Sequence, residues 1–342
     1  MDRILIDGGE EILVGHGLPS PLLPPSDRLR VLVVTQPGAR QVAEAVAERV
    51  DAPTVEIFEL PDREAAKDLG TVEAIYLRLL EGGFSRRDTI VGVGGGTVTD
   101  VAGFVAATWL RGVEVVHVPT TLLAAVDAAI GGKTGVNFRG KNLVGAFWHP
   151  SRVVIDLDVL SRLPRDLLRE GSAEAVKAGL VGDPLLVDAY RRRGLDADLE
   201  VVVPRAVAVK ARVVSADFRE AGRRAVLNYG HTVGHALETV TGLAHGYAVA
   251  VGMTAAAEIA RRRHGFDGDD QRRLLQGMGL PVDVDDAGVD AGADAVLEAM
   301  ARDKKRDVGG IRFVLLRDVG DPTVEHVTPD DVDAALEAVG VG

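Results

Sequence analysis

Two kinds of apolar pattern alternate along the first half of the chain. Short β-branched runs such as RVLVVTQPG (30–38) end at proline or glycine, which is typical of strands. The run QVAEAVAERV (41–50) that follows carries its apolar residues at helical spacing. Further strand-like runs occupy 54–60, 88–96 and 114–121, with helical segments between them. This alternation predicts an α/β domain whose parallel sheet is covered by helices on both faces.

The pattern changes after residue 164. Up to about Arg306, segments rich in alanine, leucine and arginine at helical spacing replace most of the strand-like runs. The segment 201–215 is ambiguous, and GIRFVLL (310–316) is compatible with a late strand. The sequence therefore predicts an α/β domain over residues 1–164 and a mainly α-helical domain over 165–342.

Length and composition support a folded chain of two domains. The chain has 342 residues, 46% of them apolar and 26% charged, and it contains no low-complexity tract. No run approaches the about 20 apolar residues of a membrane span, and the N-terminus lacks the layout of a signal peptide. We therefore expect a cytoplasmic protein without a membrane partner. A net charge of -12 argues against a nucleic-acid surface.

Cysteine and lysine usage narrows the possible chemistry. Since the chain has no cysteine, any metal must be held by histidine, aspartate or glutamate. Only seven of the 39 basic residues are lysine. They are expected where a compact ammonium group is needed in a tight polar pocket, although chance survival in an arginine-rich composition is the alternative. The seven are Lys67, Lys133, Lys141, Lys177, Lys210, Lys304 and Lys305.

A glycine loop joins the third predicted strand to a helix. In GVGGGTVTD (92–100), bare backbone N–H groups and the positive end of the helix can face a pyrophosphate. The spacing fits the GxGxxG fingerprint only loosely, and a simple tight turn is the alternative. The order of strand, loop and helix favours nucleotide binding.

A second glycine-rich segment carries polar side chains. PTTLLAAVDAAIGGKTGVNFRGKNLVGAF (119–147) contains Asp127, Lys133, Lys141 and Asn142 among small residues. Two lysines, an amide and a carboxylate here favour a site for a hydroxylated anion. A polar surface loop is the alternative.

Two further groups of polar residues have helical spacing. Glu174 and Lys177 lie three apart, hence on one helical face, which in isolation is typical of a surface ion pair. A second set recurs every four residues and predicts one polar helix stripe that points towards the histidines further on. Its members are Glu220, Arg224 and Asn228.

Three of the eight histidines lie within LNYGHTVGHALETVTGLAHG (227–246). His231 and His235 are four apart, so both rings project from one helical face and could share a metal or a substrate. GHTVGH lacks the glutamate of HExxH, which argues against a zinc protease. With His245 and an upstream glutamate, a three-ligand set would leave coordination open to a substrate. Structural histidines are the alternative.

Seven motifs, in order and spacing, resemble the 3-dehydroquinate synthase family of the sugar phosphate cyclases. The resemblance runs from about residue 60 to 316. It implies an N-terminal NAD-binding domain, a helical C-terminal domain that holds one divalent metal, zinc first and cobalt as the alternative, and a homodimer. The motifs are VGVGGGTVTDVAGFVAATWLRG, VPTTLLAAVDAAIGGKTGVN, GKNLVGAF, AEAVKAGL, LNYGHTVGHALE, HGYAVAVGM and RDKK.

The resemblance also implies roles for individual residues. The metal ligands would be Glu174, His231 and His245, while His235 would contact a substrate phosphate. Arg111 would reach the site of a neighbouring subunit. The residues lining the substrate pocket would be Asp127, Lys133, Asn142, Lys177, Lys210, Glu220, Arg224, Asn228 and Lys304. The residues near NAD would be Glu64, Lys67, Gly94, Gly95, Gly96, Asp100, Thr120, Thr121, Lys133 and Lys141.

The implied reaction converts a small sugar-acid phosphate into a carbocycle. NAD would transiently oxidise C5, phosphate would be eliminated, and re-reduction and an intramolecular aldol step would close the ring. Alternatives within the group are aminodehydroquinate synthase and 2-deoxy-scyllo-inosose synthase. A polyol dehydrogenase would have no use for the substrate-binding lysines. A non-enzymatic binding module would have no use for the metal ligands. Tyr247 stands where relatives often carry glutamate, and NFRGKN (137–142) is about one residue short.

Overall fold

The computed structural model describes residues 1–304 and 311–342, apart from the side chains of residues 302–304. The chain forms two compact units. Unit 1 comprises Met1–Leu163 together with Lys210–Arg219, and unit 2 comprises Pro164–Val209 together with Glu220–Gly342.

Unit 1 contains nine strands and four α-helices in its described residues. The strands are β1 (Asp2–Ile6), β2 (Glu10–Gly15), β3 (Arg30–Thr35), β4 (Thr54–Glu59), β5 (Thr89–Gly94), β6 (Glu114–Pro119), β7 (Lys133–Val136), β8 (Val144–Phe147) and β9 (Arg152–Asp156). The helices are α1 (Arg40–Arg49), α2 (Leu69–Glu81), α3 (Gly96–Thr108) and α4 (Leu157–Leu160).

Seven of these strands form one sheet in the order β1-β2-β9-β6-β5-β3-β4. All neighbours pair in parallel except β1 and β2. The strands predicted at 30–38, 54–60, 88–96 and 114–121 are β3 to β6, so the predicted parallel sheet is confirmed. Because β3 continues outwards to β4 while β5 returns to its other side, the strand order reverses between β3 and β5. In such sheets, ligands bind beyond the carboxyl ends of the strands at this switch point.

The central strands are buried on both faces. In β3, Leu32 and Val34 pack into a cluster with α2 and α3, whereas Val31 and Val33 pack into a second cluster with α1. All four valine and leucine side chains are inaccessible to solvent. This two-sided burial explains why the strand reads as a continuous apolar run, and each such side chain contributes about 1.5–3 kcal/mol.

Unit 2 is mainly helical, as predicted for the second half of the chain. The ambiguous segment 201–215 lies in a helix that accommodates Pro204 in its second turn, and the late strand predicted at 310–316 is the first strand of a hairpin. The helices are α5 (Arg165–Gly182), α6 (Pro184–Arg193), α7 (Leu199–Ala216), α8 (His231–Thr241), α9 (His245–His264), α10 (Gly268–Gly277), α11 (Ala293–Lys304) and α12 (Pro329–Glu337). The hairpin strands are β10 (Arg312–Asp318) and β11 (Asp321–His326).

Glycines allow α8 and α9 to pack closely against each other. A Cβ atom at Gly252 would lie 2.0 Å from the carbonyl oxygen of Gly230, and one at Gly234 would lie 2.9 Å from that of Ala248. Gly230 itself has a φ of +81°, which favours glycine, and it ends the preceding segment directly before α8. Backbone thus contacts backbone where larger residues would separate the two helices.

Among the described helices, none is both long and apolar enough to cross a membrane.

Candidate active site

The glycine loop lies at the switch point of the sheet. Strand β5 ends at Gly94, and Gly95 precedes the first residue of α3. A Cβ atom at Gly94 would lie 2.4 Å from the side chain of Val98, so only glycine fits there. The side chain of Thr121, just after β6, lies next to Gly95, and the Thr120 N–H donates to the Gly94 carbonyl (2.9 Å). These residues therefore form one surface around the N-terminus of α3, where an anion is favoured.

A buried lysine connects the other residues expected near NAD. Lys67 is 5% exposed, and its Nζ donates to Oδ2 of Asp100 (2.7 Å) and to Oδ1 of Asn142 (2.5 Å). Oε1 of Glu64 lies 4.0 Å from the same ammonium group. Burial raises the pKa of Asp100, while the Lys67 charge opposes this rise. The structure thus brings Glu64, Lys67 and Asp100 together, and it places Asn142 against them as well.

Sequence analysis overlooked Asn137, which organises this group. Its Nδ2 donates to Oε1 of Glu64 (2.8 Å), and its Oδ1 accepts from the backbone N–H of Asn142 (2.9 Å). Its own N–H donates to the carbonyl of Lys67 (2.8 Å). Asn137 lies within the motif VPTTLLAAVDAAIGGKTGVN, so its place in the motif was visible, but its contacts depend on the folded chain.

Asp127 and Lys210 form a pair within unit 1. Lys210 is 6% exposed, and its Nζ donates to Oδ1 of Asp127 (2.5 Å) and to the Asp127 backbone carbonyl. Lys133 begins β7 and is exposed, as are Lys141 and Arg111. The glycine-rich segment therefore presents two lysines, Lys133 and Lys141, to solvent and fixes Lys210 through its aspartate.

The candidate metal site of unit 2 joins three helices. Glu174 lies on α5, while His231 and His245 are the first residues of α8 and α9. Their ligand atoms all lie within 4.8 Å of one another. Oε1 of Glu174 is 3.6 Å from Nε2 of His231 and 3.5 Å from Nε2 of His245. One carboxylate and two imidazoles thus converge on one point.

Each imidazole is oriented by a second group. Nδ1 of His231 donates to the carbonyl of Tyr229 (3.2 Å), and Nδ1 of His245 donates to Oε2 of Glu238 (3.2 Å). Both hydrogen bonds leave Nε2 directed at Glu174, as is usual for histidines that bind metals. The Tyr229 ring is buried, and its hydroxyl donates to Gln271 (2.6 Å). Sequence analysis had assigned no role to Glu238, Tyr229 or Gln271.

Glu174 and Lys177 are not a surface ion pair; that interpretation is wrong. Their exposed fractions are 1% and 3%, and the Lys177 ammonium contacts Oε2 of the carboxylate. Helix α5 is buried along this stretch, which the i,i+3 spacing alone could not reveal. Both carboxylate oxygens are buried, and Oε1, which faces the two imidazoles, has no hydrogen-bond partner among the described residues.

The electrostatics of the site suit a divalent cation. Burial alone would raise the pKa of Glu174, but the Lys177 ammonium and the two imidazoles hold that pKa well below its usual range. Burial and Lys177 lower the pKa of His231, so its ring is neutral. Burial would also lower the pKa of His245, but contacts with Glu174 and Glu238 outweigh it and raise this pKa to about 10. An anionic, otherwise unsatisfied carboxylate beside imidazole nitrogens fits zinc or cobalt.

His235 lies beside this set, on the same face of α8. Its ring centroid is 4.8 Å from that of His231 and 6.0 Å from that of His245. The converging group among the described residues contains Glu174 in place of His235. Helical spacing had left both possibilities open.

The predicted helix stripe of Glu220, Arg224 and Asn228 is wrong. Glu220 has a φ of +57°, and residues Arg223–Asn228 form a 3₁₀ helix after an irregular Gly222, so a spacing of four does not align the three side chains. Contacts still join them locally, because Nδ2 of Asn228 donates to Oε1 of Glu220 (2.8 Å). Arg224 is 2% exposed. Helix α11 ends at Lys304, whose side chain lies outside the described part of the structure, and Lys305 lies wholly outside it.

Comparison with solved structures defines the class of protein. A 2-deoxy-scyllo-inosose synthase complexed with carbaglucose-6-phosphate, NAD+ and Co2+ is 28% identical, with a TM-score of 0.88 and 100% of both chains covered. The 2-epi-5-epi-valiolone synthase ValA from Streptomyces hygroscopicus subsp. jinggangensis 5008, with NAD+ and Zn2+ bound, is 28% identical, with a TM-score of 0.85 and 99% of each chain covered. The fold is that of the sugar phosphate cyclases.

Sequence comparison identifies the family within this class. The family model of the 3-dehydroquinate synthase N-terminal part matches residues 57–170, and that of the C-terminal part matches residues 171–306. The 3-dehydroquinate synthase of Thermobifida fusca (strain YX) is 45% identical over 92% of this chain and 89% of the relative. That of Mycobacterium leprae (strain TN) is 45% identical over 94% and 92%. The chain belongs to the 3-dehydroquinate synthase family, as its motifs predicted.

Proposed function

We propose that the protein converts 3-deoxy-D-arabino-heptulosonate 7-phosphate into 3-dehydroquinate and phosphate, as a phosphate-eliminating lyase that requires NAD and one divalent metal. The observation that carries this proposal is the convergence of Glu174, His231 and His245, with Oε1 of the Glu174 carboxylate buried and without a hydrogen-bond partner among the described residues. Membership of the family and the ligands of the similar solved structures support it. We further propose a cytoplasmic homodimer in which Arg111 reaches the site of the neighbouring subunit.

Residues 1–164 are proposed to bind the nucleotide. Gly94, Gly95 and Gly96 would receive its pyrophosphate, since bare backbone at a helix N-terminus can approach phosphate oxygens closely. Polar side chains around this loop would orient the rest of the cofactor. They are Glu64, Lys67, Asp100, Thr120, Thr121, Lys133 and Lys141.

Residues 165–342 are proposed to hold the metal through Glu174, His231 and His245. When bound, the metal would acidify the C5 hydroxyl while NAD accepts and later returns a hydride at C5. The Lys177 ammonium contacts the carboxylate of Glu174 and places a positive charge beside the ligand set. We assign to His235, one turn along α8 from His231, the contact with the phosphate group.

The remaining polar side chains are proposed to fix the substrate. Cationic groups would balance its carboxylate and phosphate, and partly buried partners restrict the rotamers of two members of the group: Lys210 donates to Asp127, and Asn228 donates to Glu220. Restricting the substrate to one reactive conformer removes entropy from the elimination and ring-closing steps. The residues of this group are Asp127, Lys133, Asn142, Lys177, Lys210, Glu220, Arg224, Asn228 and Lys304.

The decisive experiment supplies the purified protein with the heptulosonate phosphate, NAD and zinc, and follows release of phosphate together with formation of dehydroquinate. We expect both products in equal amounts, with NAD needed only in catalytic quantity. The amino analogue and glucose 6-phosphate are tested in parallel. Turnover of either of these, without turnover of the heptulosonate phosphate, would assign the chain to aminodehydroquinate synthase or 2-deoxy-scyllo-inosose synthase instead.

A further inference from the structure

A buried carboxylate lies outside the region that the family models match. Glu10 begins β2 and is inaccessible to solvent. Its two oxygens accept from the backbone N–H of Gly131, at 3.2 and 3.3 Å. Nδ1 of His149 lies 3.0 Å from Oε2. Burying a carboxylate is costly even when it is paired, and an apolar side chain of similar volume would serve stability as well or better. The position of Glu10 therefore requires another explanation.

Gly131, whose backbone N–H donates to Glu10, lies in a sharp turn. Gly131 and Gly132 have φ values of +84° and +64°, so the backbone turns twice in the left-handed region. The turn separates Asp127 from Lys133. The carbonyl of Gly132 accepts from the N–H of Trp148 (2.8 Å), so both glycines are held by hydrogen bonds. The contact from Glu10 thus fixes the backbone from which Lys133 projects.

The same histidine connects the turn to Lys210. The His149 ring stacks on Phe218, with ring centroids 3.7 Å apart and an angle of 14° between the planes. Phe218 belongs to the segment 210–219, which packs within unit 1 and begins with Lys210. Lys210 in turn donates to Asp127, which lies four residues before Gly131. The contacts from Glu10 through His149, Phe218 and the Lys210 segment therefore lead back to the segment that contains the Gly131 turn.

We propose that Glu10, together with His149, is a positioning residue for the two lysines Lys133 and Lys210. Its carboxylate holds the Gly131 turn on one side, and through His149 and Phe218 it holds the Lys210 segment on the other. Glu10 touches neither substrate nor cofactor. The inference rests on the proposed function only for the identity of the substrate that these lysines would bind.

The test compares three variants of the full-length enzyme loaded with zinc and NAD. Glu10→Ala removes the acceptor for the Gly131 N–H, and Glu10→Gln keeps an acceptor oxygen and nearly the same volume. The matched control is Glu11→Ala, the next residue of β2, whose carboxylate pairs with Arg152 (2.6 Å) and is also largely buried. For each variant we measure kcat and KM for the heptulosonate phosphate, Kd for NAD, Tm, and amide exchange of the peptide spanning residues 127–136.

We expect Glu10→Ala to lower kcat/KM at least tenfold more than Glu11→Ala, since a small displacement of a substrate-binding group has effects of this order. Kd for NAD should rise less than KM for the heptulosonate phosphate, because of the two lysines only Lys133 is also proposed to contact the cofactor. Amide exchange at 127–136 should accelerate in Glu10→Ala alone, and Glu10→Gln should recover most of the activity. If Glu10→Ala does not fold, Glu10→Asp, which retracts the carboxylate by one methylene, replaces it in every measurement.

Equal losses of kcat/KM in Glu10→Ala and Glu11→Ala, with unchanged exchange at 127–136, would overturn the inference and leave Glu10 a structural residue. A wild-type enzyme that does not turn over the heptulosonate phosphate would defeat the proposed function. The exchange measurement would still decide whether Glu10 positions the Gly131 turn, because it needs no substrate.

Discussion

At the scale of single residues, the candidate metal site depends on Glu238, which is not one of the three converging ligands. Glu238 accepts from Nδ1 of His245 and thereby directs Nε2 at the convergence point. Tyr247 lies near Arg169, with 3.5 Å between its hydroxyl and Nη1, and among the described residues Nδ1 of His245 is hydrogen-bonded to Glu238 rather than to Tyr247. Orientation of His245 is therefore assigned to Glu238.

Glu238→Gln is expected to weaken zinc binding by about 10–100-fold, because it removes the charge that orients His245 and makes it a stronger donor. Competition with a chromophoric chelator measures the zinc affinity. The matched control is Glu258→Gln, which removes a carboxylate paired with Arg261 on the surface of α9 and should leave the affinity unchanged. Equal affinity in the wild type and Glu238→Gln would show that His245 needs no such partner.

At the scale of elements, the metal site depends on how closely α8 and α9 approach. Each helix begins with one of the two histidines, so their separation sets the distance from both imidazoles to Glu174 on α5. The close contact exists because Gly252 and Gly234 lack side chains. A rigid pair of helices is a more accurate support for ligands than a loop.

Gly252→Ala is expected to destabilise the protein by about 1–3 kcal/mol or more, since its Cβ atom would overlap the Gly230 backbone and overpack the interface. Separation of the helices should also reduce the zinc content of the purified protein. Thermal unfolding and metal analysis measure the two effects. Gly277→Ala in α10, where a Cβ atom has nothing within 4 Å, is the control and should retain full zinc. A Gly252→Ala protein with wild-type Tm would contradict the packing.

At the scale of the whole molecule, sensitivity to acid depends in part on a histidine buried in the sheet. His117 of β6 is 3% exposed, packs against Gly92 and Gly103, and its Nδ1 has no hydrogen-bond partner within the described residues. Burial lowers its pKa to about 3. The folded protein thus keeps this ring neutral at pH values where an unfolded chain, with a pKa of about 6.5, would protonate it.

Above about pH 6.5 the ring is neutral in both states, and the protein has its full stability with respect to this group. As the pH falls towards 3, protonation stabilises only the unfolded chain, so the free energy of unfolding decreases. Between pH 7 and pH 5, His117 alone should lower the free energy of unfolding by about 2 kcal/mol. His117→Gln removes that loss, so its Tm should fall less on acidification than the wild-type Tm. His16→Gln, at an exposed histidine, is the control. An identical acid response in His117→Gln and the wild type would refute the assignment.

Much of the architecture could be predicted because it follows from local patterns. Strands β3 to β6 are short apolar runs bounded by proline, glycine or polar residues, and the helices between them have a period of 3.6; the sequence displays both directly. The same holds for the i,i+4 placement of His231 and His235 on α8. The prediction that Glu220, Arg224 and Asn228 form one helical stripe was wrong because a spacing of four aligns side chains only in an α-helix. Here the irregular backbone at Gly222 and the positive φ of Glu220 interrupt the helix.

By itself, the sequence determined the α/β order, the helical second half, the family and the residues from which a metal site could be built. The resemblance had already implied the set Glu174, His231 and His245, whose ligand atoms converge in the structure. Only the tertiary structure decided that Lys67 meets Asp100 and Asn142, and that Glu10 meets the Gly131 turn. Local periodicity depends on neighbours within a few residues, and it is written in the chain. Contacts between residues far apart in the chain, such as Glu10 and Gly131 at 121 positions, depend on how buried surfaces pack, so a carboxylate such as Glu10 shows its partner only in the folded protein.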